Sequence, residues 1–508
     1  MSVIVNLESM GSKKKFLAID LGASSGRGIV GEFEDNKIIL HEVNRFNNQI
    51  IKIFGSDCWN IYTLYENIKS SIKKAFVEYG ELSGIGIDSW GVDFVFLDKY
   101  GNIIGLPNTY RDSRTDGIAE KIFEKISKEI IYKETGIQFL KINTLYQIYS
   151  YRLKNPEMFQ YVDKILFLPD YLNYLFTGEK LNEYTISSTS QMLKADTKHW
   201  SSTVLKPLGI SESLFFNVSE PGSIIAEMHK KVKDELNVPN VDFLLVPSHD
   251  TASAIVAVPA KGDDWAYLSS GTWSLIGAEL DGPIINDETY KYNYTNEGGA
   301  FNKIRFLKNL SGMWLLQESK RIWEESGVNY TYDDLIENAS KVKPFQGFID
   351  PDAEMFLKPE NMPNAINEFL LKTGQEEIKD HFSIVRIILE SLALKYREAI
   401  EILQTLINKD INVLHIIGGG SKNDLLNQMT ADSTGLKIVA GPTEATALGN
   451  LLMQAKAKGI ISTLEKAREI VRNSFELKEF VRKNGESWDI AYHQYKNIIV
   501  KSKELWIQ

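Results

Sequence analysis

The stretch FLAIDLGASSGR, residues 16–27, predicts the unit from which the fold is built. Four apolar residues form a buried-strand signal and lead into Asp20 and a turn rich in glycine and serine. Residues 29–33 and 38–43 then have the apolar pattern of returning strands. Such a unit brings several backbone N–H groups around one point, where they can hold a phosphate, and Asp20 could hold a hydrated Mg²⁺ ion beside it. A simple hairpin turn without a ligand would have the same pattern.

A second stretch, WAYLSSGTWSLIG at residues 265–277, repeats this pattern in the other half of the chain. It again has an apolar strand, a turn of small polar residues and a returning strand. Each half would therefore begin with the same unit, as expected of a duplicated fold with a cleft between its halves. The chain contains no G-x-x-x-x-G-K-[ST] motif, so any nucleotide site is not of the P-loop kind.

Polar residues follow an apolar run shortly before this second stretch. Residues 243–246 are apolar, and Ser248, His249, Asp250 and Thr251 come soon after them. An aspartate at a strand end, close to a candidate phosphate turn, is typical of a catalytic base. The adjacent serine, histidine and aspartate do not predict a hydrolase triad, because neighbouring side chains of an extended chain point to opposite faces. A polar strand end without any chemistry is the alternative.

Three further loops carry residues suited to ligand binding. In GIDSWGVDF, residues 86–94, Gly91 would let a ligand approach the backbone closely, although a tight turn beside a buried Trp90 would look the same. The cluster YRDSR at 110–114 could bind a polyol or form surface ion pairs. The three glycines at 418–420 join an apolar strand to a helix, where a flat or anionic ligand can lie against the helix N terminus.

The composition is that of a globular protein too large for a single core. A chain of 508 residues should form two or more domains. The net charge of −10 argues against a nucleic-acid partner, which would need a basic face. The only cysteine, Cys58, cannot form an intramolecular disulfide and fits a reducing compartment. The seven histidines are scattered, so a histidine-built zinc site is not expected.

The sequence also predicts where the protein is found. No apolar run approaches the length needed to span a bilayer, so no membrane partner is expected. The first residues place their apolar side chains before the lysines, the reverse of a signal peptide. We therefore expect a cytoplasmic protein whose residues 1–15 form a loose extension.

Taken together, these motifs resemble those of the FGGY carbohydrate kinases, a branch of the actin-like ATPase superfamily. The resemblance runs from about residue 16 to 455, with the motifs in the family's order. The blocks that carry it are DLGASSGR at 20–27, GIDSWGVDF at 86–94, YRDSR at 110–114, GIQF at 136–139, NTLYQ at 143–147, SHDTAS at 248–253, YLSSGTWS at 267–274 and NEGG at 296–299.

The resemblance implies an α/β protein with the duplicated actin-like ATPase (ribonuclease H-like) fold, whose two lobes enclose a catalytic cleft. An N-terminal lobe at 16–255 would carry the sugar site and the first phosphate turn. A C-terminal lobe at 256–460 would carry the second phosphate turn and the adenosine site, followed by a helical segment at 461–508.

The resemblance also implies roles for individual positions. Asp250 matches the family's general base, and Asp20 matches an acid near the metal that acts through water. The residues that match sugar-binding positions are Gly91, His249, Asp250, Thr251 and Asn309. The residues that match ATP-binding positions are Ala23, Ser24, Ser25, Gly26, Arg27, Thr272, Gln317 and Gly419.

The implied activity is an ATP- and Mg²⁺-dependent phosphorylation of the C1 hydroxyl of a ketose. Several blocks are characteristic of the branch that acts on L-rhamnulose; L-fuculose or L-ribulose are alternatives, and a non-catalytic ATP-binding regulator is a remote one. Kinases of xylulose and glycerol commonly carry a lysine followed by tryptophan in the region matching 141–147, where this chain has Asn143 and Tyr146. The residues before Phe16 and the stretch 325–380 depart from the family pattern, and the sequence leaves the oligomeric state open.

Overall fold

The computed structural model describes residues 13–506. The strands of the first half are β1 (Lys14–Leu21), β2 (Ser25–Glu34), β3 (Lys37–Asn47), β4 (Ile50–Ile53), β5 (Ser56–Trp59), β6 (Gly84–Ser89), β7 (Phe94–Leu97), β8 (Lys164–Phe167), β9 (Asn182–Glu183), β10 (Val218–Ser219), β11 (Ser223–Glu227) and β12 (Asp242–Leu245). Its helices are α1 (Ile61–Tyr79), α2 (Ile118–Phe123), α3 (Lys128–Thr135), α4 (Thr144–Lys154), α5 (Pro156–Phe159), α6 (Leu168–Thr177), α7 (Tyr184–Ser188), α8 (Ser202–Leu205), α9 (Lys230–Leu236) and α10 (Asp250–Val256).

The second half is built in the same way. Its strands are β13 (Trp265–Ser270), β14 (Trp273–Leu280), β15 (Thr295–Gly298), β16 (Ile304–Ser311), β17 (Val413–Ile417), β18 (Lys437–Ala440) and β19 (Lys478–Phe480). Its helices are α11 (Asp287–Lys291), α12 (Trp314–Glu325), α13 (Tyr332–Lys341), α14 (Met362–Lys372), α15 (His381–Ile407), α16 (Asp424–Thr434), α17 (Ala445–Ala457), α18 (Leu464–Ser474) and α19 (Gly485–Trp506). Short 3₁₀ turns lie at Ser113–Thr115, Lys206–Leu208, Glu212–Leu214, Glu354–Phe356 and Gly419–Lys422. No helix within residues 13–506 is both long and apolar enough to cross a bilayer.

The first sheet places the candidate acids side by side. Its strand order is β11-β12-β6-β1-β2-β3. β1 pairs antiparallel with β2 and parallel with β6, so Asp20 lies opposite Arg27 on one side and Asp88 on the other. Both faces of the central strands are covered by helices, which explains why residues 16–19 of β1 are all apolar. The carboxyl ends of β1 and β6 therefore meet at one edge of the sheet.

The second sheet repeats this arrangement. Its strand order is β15-β16-β14-β13-β17-β18-β19. β13 pairs antiparallel with β14 and parallel with β17, as β1 does with β2 and β6. The repeated strand–turn–strand unit predicted from residues 16–27 and 265–277 is thus confirmed, and with it the duplication of the fold.

Helix α17 belongs by sequence to the second half but packs against the first sheet. Its Leu451 lies in the same core as Phe16 and Ala18 of β1. Gln454 on this helix donates a hydrogen bond to the carbonyl of Leu17 at 2.9 Å. The first sheet therefore depends on a helix that comes late in the chain.

Three features of the structure lie at the domain boundaries expected from the sequence, and those boundaries stay predictions. Strand β1 begins at Lys14, within the expected extension at 1–15, whose first twelve residues lie outside the described part of the chain. Helix α10 runs through the expected lobe boundary between residues 255 and 256. The segment 461–508, expected to be helical, also contains β19, which pairs antiparallel with β18 and forms one edge of the second sheet.

Candidate active site

The turn between β1 and β2 is closed by its own backbone. The Gly22 N–H donates to the Ser25 carbonyl at 2.9 Å, and the Asn48 N–H donates to the Ser24 carbonyl at 3.0 Å. Ser24 is exposed, whereas Ala23 and Ser25 are half-buried. A tight turn at a strand end can direct backbone N–H groups towards an anion.

Gly26 and Arg27 complete the predicted phosphate motif, and both have structural contacts. A Cβ atom on Gly26 would lie 2.3 Å from a ring carbon of Phe46, so any larger residue would force the Phe46 ring to move. The Arg27 guanidinium forms hydrogen bonds with Asp20 on β1 and with Glu444, which immediately precedes α17. Arg27 therefore links two carboxylates from distant parts of the chain.

Asp20 and Asp88 form a buried acidic pair at the ends of β1 and β6. Asn450 donates a hydrogen bond to Asp88 Oδ2 at 2.6 Å, while Asp88 Oδ1 is buried and has no hydrogen-bond partner among the described residues. Burial raises the pKa of both carboxyl groups. The charge of Asp20 raises the pKa of Asp88 further, whereas Arg27 opposes the rise at Asp20.

The second turn lies between β13 and β14 and is tied to a helix. Gly271 and Thr272 form this turn, and the Gly271 N–H donates to the Trp273 carbonyl at 3.0 Å. The Trp314 N–H at the start of α12 donates to the Thr272 carbonyl at 3.2 Å. Gln317 lies one turn further along α12 and is half-buried. The structure thus brings Thr272 and Gln317 to the same end of α12.

The glycine run after β17 packs directly on β13. Gly418 has a φ of 81°, which favours glycine, and a Cβ on Gly420 would lie 1.9 Å from Ser270 Oγ. Gly419 is different, because it is exposed and a Cβ there would meet no atom within 4 Å. The run therefore lies close to β13 while Gly419 borders open space.

The loop before α10 is held in place by a buried glutamate. Glu183 Oε2 accepts hydrogen bonds from the Ser248 N–H at 3.2 Å and from Ser248 Oγ at 2.7 Å. It also accepts one from Thr185 Oγ1, which in turn accepts the His249 N–H at 3.2 Å. Glu183 is fully buried, and burial raises its pKa. Hydrogen bonds from Glu183 and Thr185 thus fix the backbone that carries His249 and Asp250.

Asp250 is the first residue of α10 and is more exposed than Asp20. Its side chain is 28% exposed, against 3% for Asp20. Thr251, itself buried, donates from its N–H and from Oγ1 to Asp250 Oδ1, the latter at 3.0 Å. Burial nevertheless raises the pKa of Asp250 to about 7, and the charge of Asp20 adds to this rise. A carboxylate with such a pKa can accept a proton near neutral pH.

His249 lies between the two lobes with different partners on its two ring nitrogens. Nδ1 is 2.9 Å from Arg305 Nη2 and 3.5 Å from Glu297 Oε2. Nε2 is 3.4 Å from Asp250 Oδ1. A Cβ on Gly91 would lie 3.2 Å from the same Nε2 atom. Burial and the charge of Arg305 hold the pKa of His249 well below its usual range, so the ring is neutral.

The wall beside Gly91 is built around another buried carboxylate. The indole N–H groups of Trp59 and Trp90 both donate to Asp93 Oδ2, at 2.6 and 2.9 Å. The two indole rings pack with their centroids 4.2 Å apart. Burial raises the pKa of Asp93 to about 6, and the hydrogen bonds from both indoles oppose that rise. The Trp90 side chain is therefore held in one position beside Gly91.

Asn309 approaches this region from the second lobe. Its backbone N–H and its Nδ2 both donate to Gln138 Oε1, at 3.1 and 3.0 Å. Nearby, the Arg111 guanidinium lies over the rings of Tyr110 and Trp314, 5.5 and 5.2 Å from their centroids. The contacts of Asn309 with Gln138 and of Arg111 with Trp314 cross from one lobe to the other, and in the first lobe His249 adjoins Gly91 and Asp250.

Comparison with known proteins identifies the fold and the family. The model of the FGGY family of carbohydrate kinases, N-terminal domain, matches residues 15–257, and the model of the C-terminal domain matches residues 266–458. The chain belongs to the FGGY family of carbohydrate kinases. It is therefore an enzyme of the sugar-kinase type, as the sequence predicted.

Several curated relatives of this FGGY kinase share one name. A protein named rhamnulokinase from Bacteroides thetaiotaomicron is 42% identical over 487 residues, which cover 96% of this chain and 100% of the relative. Another of that name from Bacillus subtilis is 41% identical over 469 residues, covering 92% and 96%.

Solved structures confirm the actin-like two-lobed fold of this FGGY kinase. A gluconate kinase from Lactobacillus acidophilus superposes with a TM-score of 0.79 at 16% identity, covering 96% of this chain and 98% of the other. Plasmodium falciparum glycerol kinase with ADP superposes with a TM-score of 0.74 at 18% identity, covering 97% and 98%. At such identities these structures show the fold alone.

Some residues of the site were not assigned from the sequence of this FGGY kinase. Asp88, Gln138 and Glu297 lie within the quoted blocks GIDSWGVDF, GIQF and NEGG, so a signal for them existed. Glu183 and Arg305 lie outside every block, and only the folded chain brings Glu183 to Ser248 and Arg305 to His249.

Proposed function

We propose that this FGGY kinase transfers the γ-phosphoryl group of ATP to the C1 hydroxyl of L-rhamnulose, giving L-rhamnulose 1-phosphate and ADP. The observation that carries the proposal is Asp250, a partly exposed carboxylate in the cleft whose pKa is about 7. Relatives named rhamnulokinase, 36–42% identical over most of the chain, support the choice of sugar. No observation favours L-fuculose, L-ribulose or a non-catalytic regulator.

Asp250 would act as the general base. The C1 hydroxyl oxygen attacks the γ-phosphorus while its proton passes to the Asp250 carboxylate. A new P–O bond forms to the sugar, and the bond between the γ-phosphorus and the bridging oxygen breaks, so that ADP leaves. The hydrogen bonds from Thr251 to Oδ1 orient the carboxylate for this transfer.

The two turns would hold the phosphates of ATP. Ala23, Ser24, Ser25 and Gly26 offer the backbone of the first turn, and Thr272 that of the second. Arg27 would act from its link with Asp20 and Glu444 rather than as a free cation. Because phosphoryl transfer depends chiefly on positioning and on charge neutralisation, such preorganised groups supply much of the catalysis.

Asp20 and Asp88 fit a hydrated Mg²⁺ ion. No group of three histidine, cysteine, aspartate or glutamate side chains within residues 13–506 could hold a metal ion. Mg²⁺, however, is usually bound by one or two carboxylates together with water and substrate phosphates. Asp88 Oδ1, buried and without a hydrogen-bond partner, could accept from a water of the ion, and Asp20 would also act through water. When bound, the ion neutralises negative charge on the β- and γ-phosphate oxygens.

The remaining site residues divide between the two substrates. Gln317 on α12 and Gly419 beside open space would contact the adenosine part of ATP. Gly91, His249, Thr251 and Asn309 would surround the ketose. The assignment of these residues to lobes at 16–255 and 256–460 is part of the proposal, as is a cytoplasmic location, where ATP is available.

The test replaces the proposed base. Asp250→Asn keeps the size of the side chain but removes the proton acceptor, so turnover with L-rhamnulose should fall at least about a hundredfold while ATP affinity stays close to normal. ADP release measures turnover, and calorimetry measures nucleotide binding. Asp281→Asn, at a surface aspartate that is 92% exposed, serves as the matched control.

The same assay decides the substrate. The unmodified enzyme should give its highest kcat/KM with L-rhamnulose in a panel that includes L-fuculose and L-ribulose. A higher kcat/KM with another ketose would refute the sugar but not the base. Near-normal turnover of Asp250→Asn would refute the base.

A further inference from the structure

A buried arginine links the NEGG block at 296–299 to His249. Arg305 on β16 is fully buried, and its Nε donates to the Gly298 carbonyl at 2.9 Å. Its Nη2 lies 2.9 Å from Glu297 Oε2 and 2.9 Å from His249 Nδ1. Glu297 is also buried, so the Arg305 guanidinium is held by a carboxylate and a carbonyl of its own lobe while it touches a histidine of the other.

A hydrogen bond between Arg305 and His249 can run in only one direction. A guanidinium carries donors and no acceptor, so His249 Nδ1 must accept the hydrogen bond. A neutral imidazole has one protonated nitrogen, and with Nδ1 as the acceptor the proton lies on Nε2. Burial holds the pKa of His249 low, and the charge of Arg305 lowers it further, because a second proton on Nδ1 would point at a buried cation.

Nε2 adjoins two residues of the proposed sugar site, Asp250 and Gly91. It lies 3.4 Å from Asp250 Oδ1 and close to the backbone of Gly91. A hydrogen-bond donor at this point can bind an oxygen of a ketose but cannot remove its proton. Asp250 therefore stays the proton acceptor, and His249 takes part as a donor.

We propose that Arg305, held by Glu297, is a positioning residue that keeps the proton of His249 on Nε2, so that this nitrogen donates a hydrogen bond to the bound ketose. The inference rests on the proposed sugar site. The competing arrangement places the proton on Nδ1, where it would be donated to Glu297 Oε2. The distances favour the first arrangement, because this carboxylate oxygen is 3.5 Å from Nδ1 and the guanidinium nitrogen 2.9 Å.

The test uses a double substitution that leaves no buried ion without a partner of opposite charge. Arg305→Met with Glu297→Gln removes the guanidinium and neutralises its partner, since a single change would leave an unpaired buried ion. Arg305→Lys is the conservative variant that retains a donor. Arg386→Met with Glu390→Gln is the matched control, because that pair also joins a fully buried glutamate to an arginine, at 2.7 Å, on α15.

The first readout is the position of the proton. Nitrogen NMR of the histidine-labelled enzyme without any sugar should show His249 with hydrogen on Nε2 only, assigned by its loss in His249→Gln. The paired variant should shift the proton wholly or partly to Nδ1, and the Arg386/Glu390 control should not. A proton on Nδ1 in the unmodified enzyme overturns the inference, even if no Arg305 variant folds.

The second readout is kinetic. Losing one well-placed donor to the ketose should raise the ketose KM about tenfold in the paired variant, with the ATP KM unchanged, and Arg305→Lys should recover part of the loss. An unchanged proton position together with an unchanged ketose KM in the paired variant also overturns the inference. The nitrogen spectra need no substrate, so they decide the inference separately from the identity of the sugar.

Discussion

At the scale of single residues, Asp250 combines two opposing demands. It must be ionised to accept a proton, yet the walls of the cleft and the charge of Asp20 favour its neutral form. A base with a pKa near the working pH satisfies both demands, since it is partly ionised and still accepts a proton readily.

This balance predicts the pH dependence of the reaction. The pKa of Asp250 is raised from 3.8 to about 7, so the carboxylate becomes protonated, and inactive as a base, as the pH falls through about 7. The value of kcat/KM for the ketose should therefore rise tenfold per pH unit below pH 7 and level off above it. A profile measured at saturating ATP checks this, and a flat profile from pH 5.5 to 8 would contradict the assignment.

The prediction of site residues from the sequence rests on short local blocks, and it missed residues that act through space. Asp250 and Gly91 stand in short blocks with recognisable chemistry. Arg305 and Glu183 are ordinary residues in sequence, and they matter only because folding brings them against His249 and Ser248. No periodicity or motif encodes a contact between residues 56 positions apart, as Arg305 and His249 are.

At the scale of elements, the site depends on the crossing of α10 and α17. A Cβ on Gly449 in α17 would lie 1.7 Å from the Ser253 carbonyl in α10, so the two helices touch backbone to backbone. Asp250 begins α10, and Asn450 on α17 donates to Asp88. Any change in this crossing therefore shifts both the base and the acidic pair.

We predict that Gly449→Ala lowers both stability and turnover. The added methyl group forces the helices apart, which typically costs about 1–3 kcal/mol of unfolding free energy. Denaturant unfolding and turnover assays measure the two effects. Gly282→Ala is the control, because a Cβ there meets no atom within 4 Å. Equal stability of the two variants would show that the crossing tolerates a side chain.

The strands of both sheets were more predictable from the sequence than the partners of the helices. Short apolar runs before small polar turns marked β1 and β13. The pattern of α17 shows an apolar helix but not which sheet it covers, because either lobe offers an apolar face. The short strand β19 was missed, since three residues are too few for an alternating pattern.

At the scale of the whole molecule, the two lobes share a core. The cluster around Phe16 and Ala18 of β1 also contains Leu451 of α17 and Val471 of α18, both from the last quarter of the chain. If one of the two lobes unfolded, it would expose the apolar surface that it covers on the other lobe. The two lobes therefore cannot unfold independently.

We therefore predict a single cooperative thermal transition and no stable fold for residues 16–255 alone. The isolated segment would leave the face of β1 and β6 that α17 covers open to water. Calorimetry of the full chain and circular dichroism of the isolated segment check the prediction. Adding residues 440–475 in trans should restore structure to the segment, and a segment that folds alone would contradict the shared core.

The late position of α17 also has a consequence for biosynthesis. About 190 residues separate the end of α10 from the start of α17. At about 5–20 residues per second, a ribosome needs about 10–40 s to make them. During that time the first sheet is complete in sequence but uncovered on one face, so the nascent chain exposes an apolar surface to chaperones and to other nascent chains until the helix emerges.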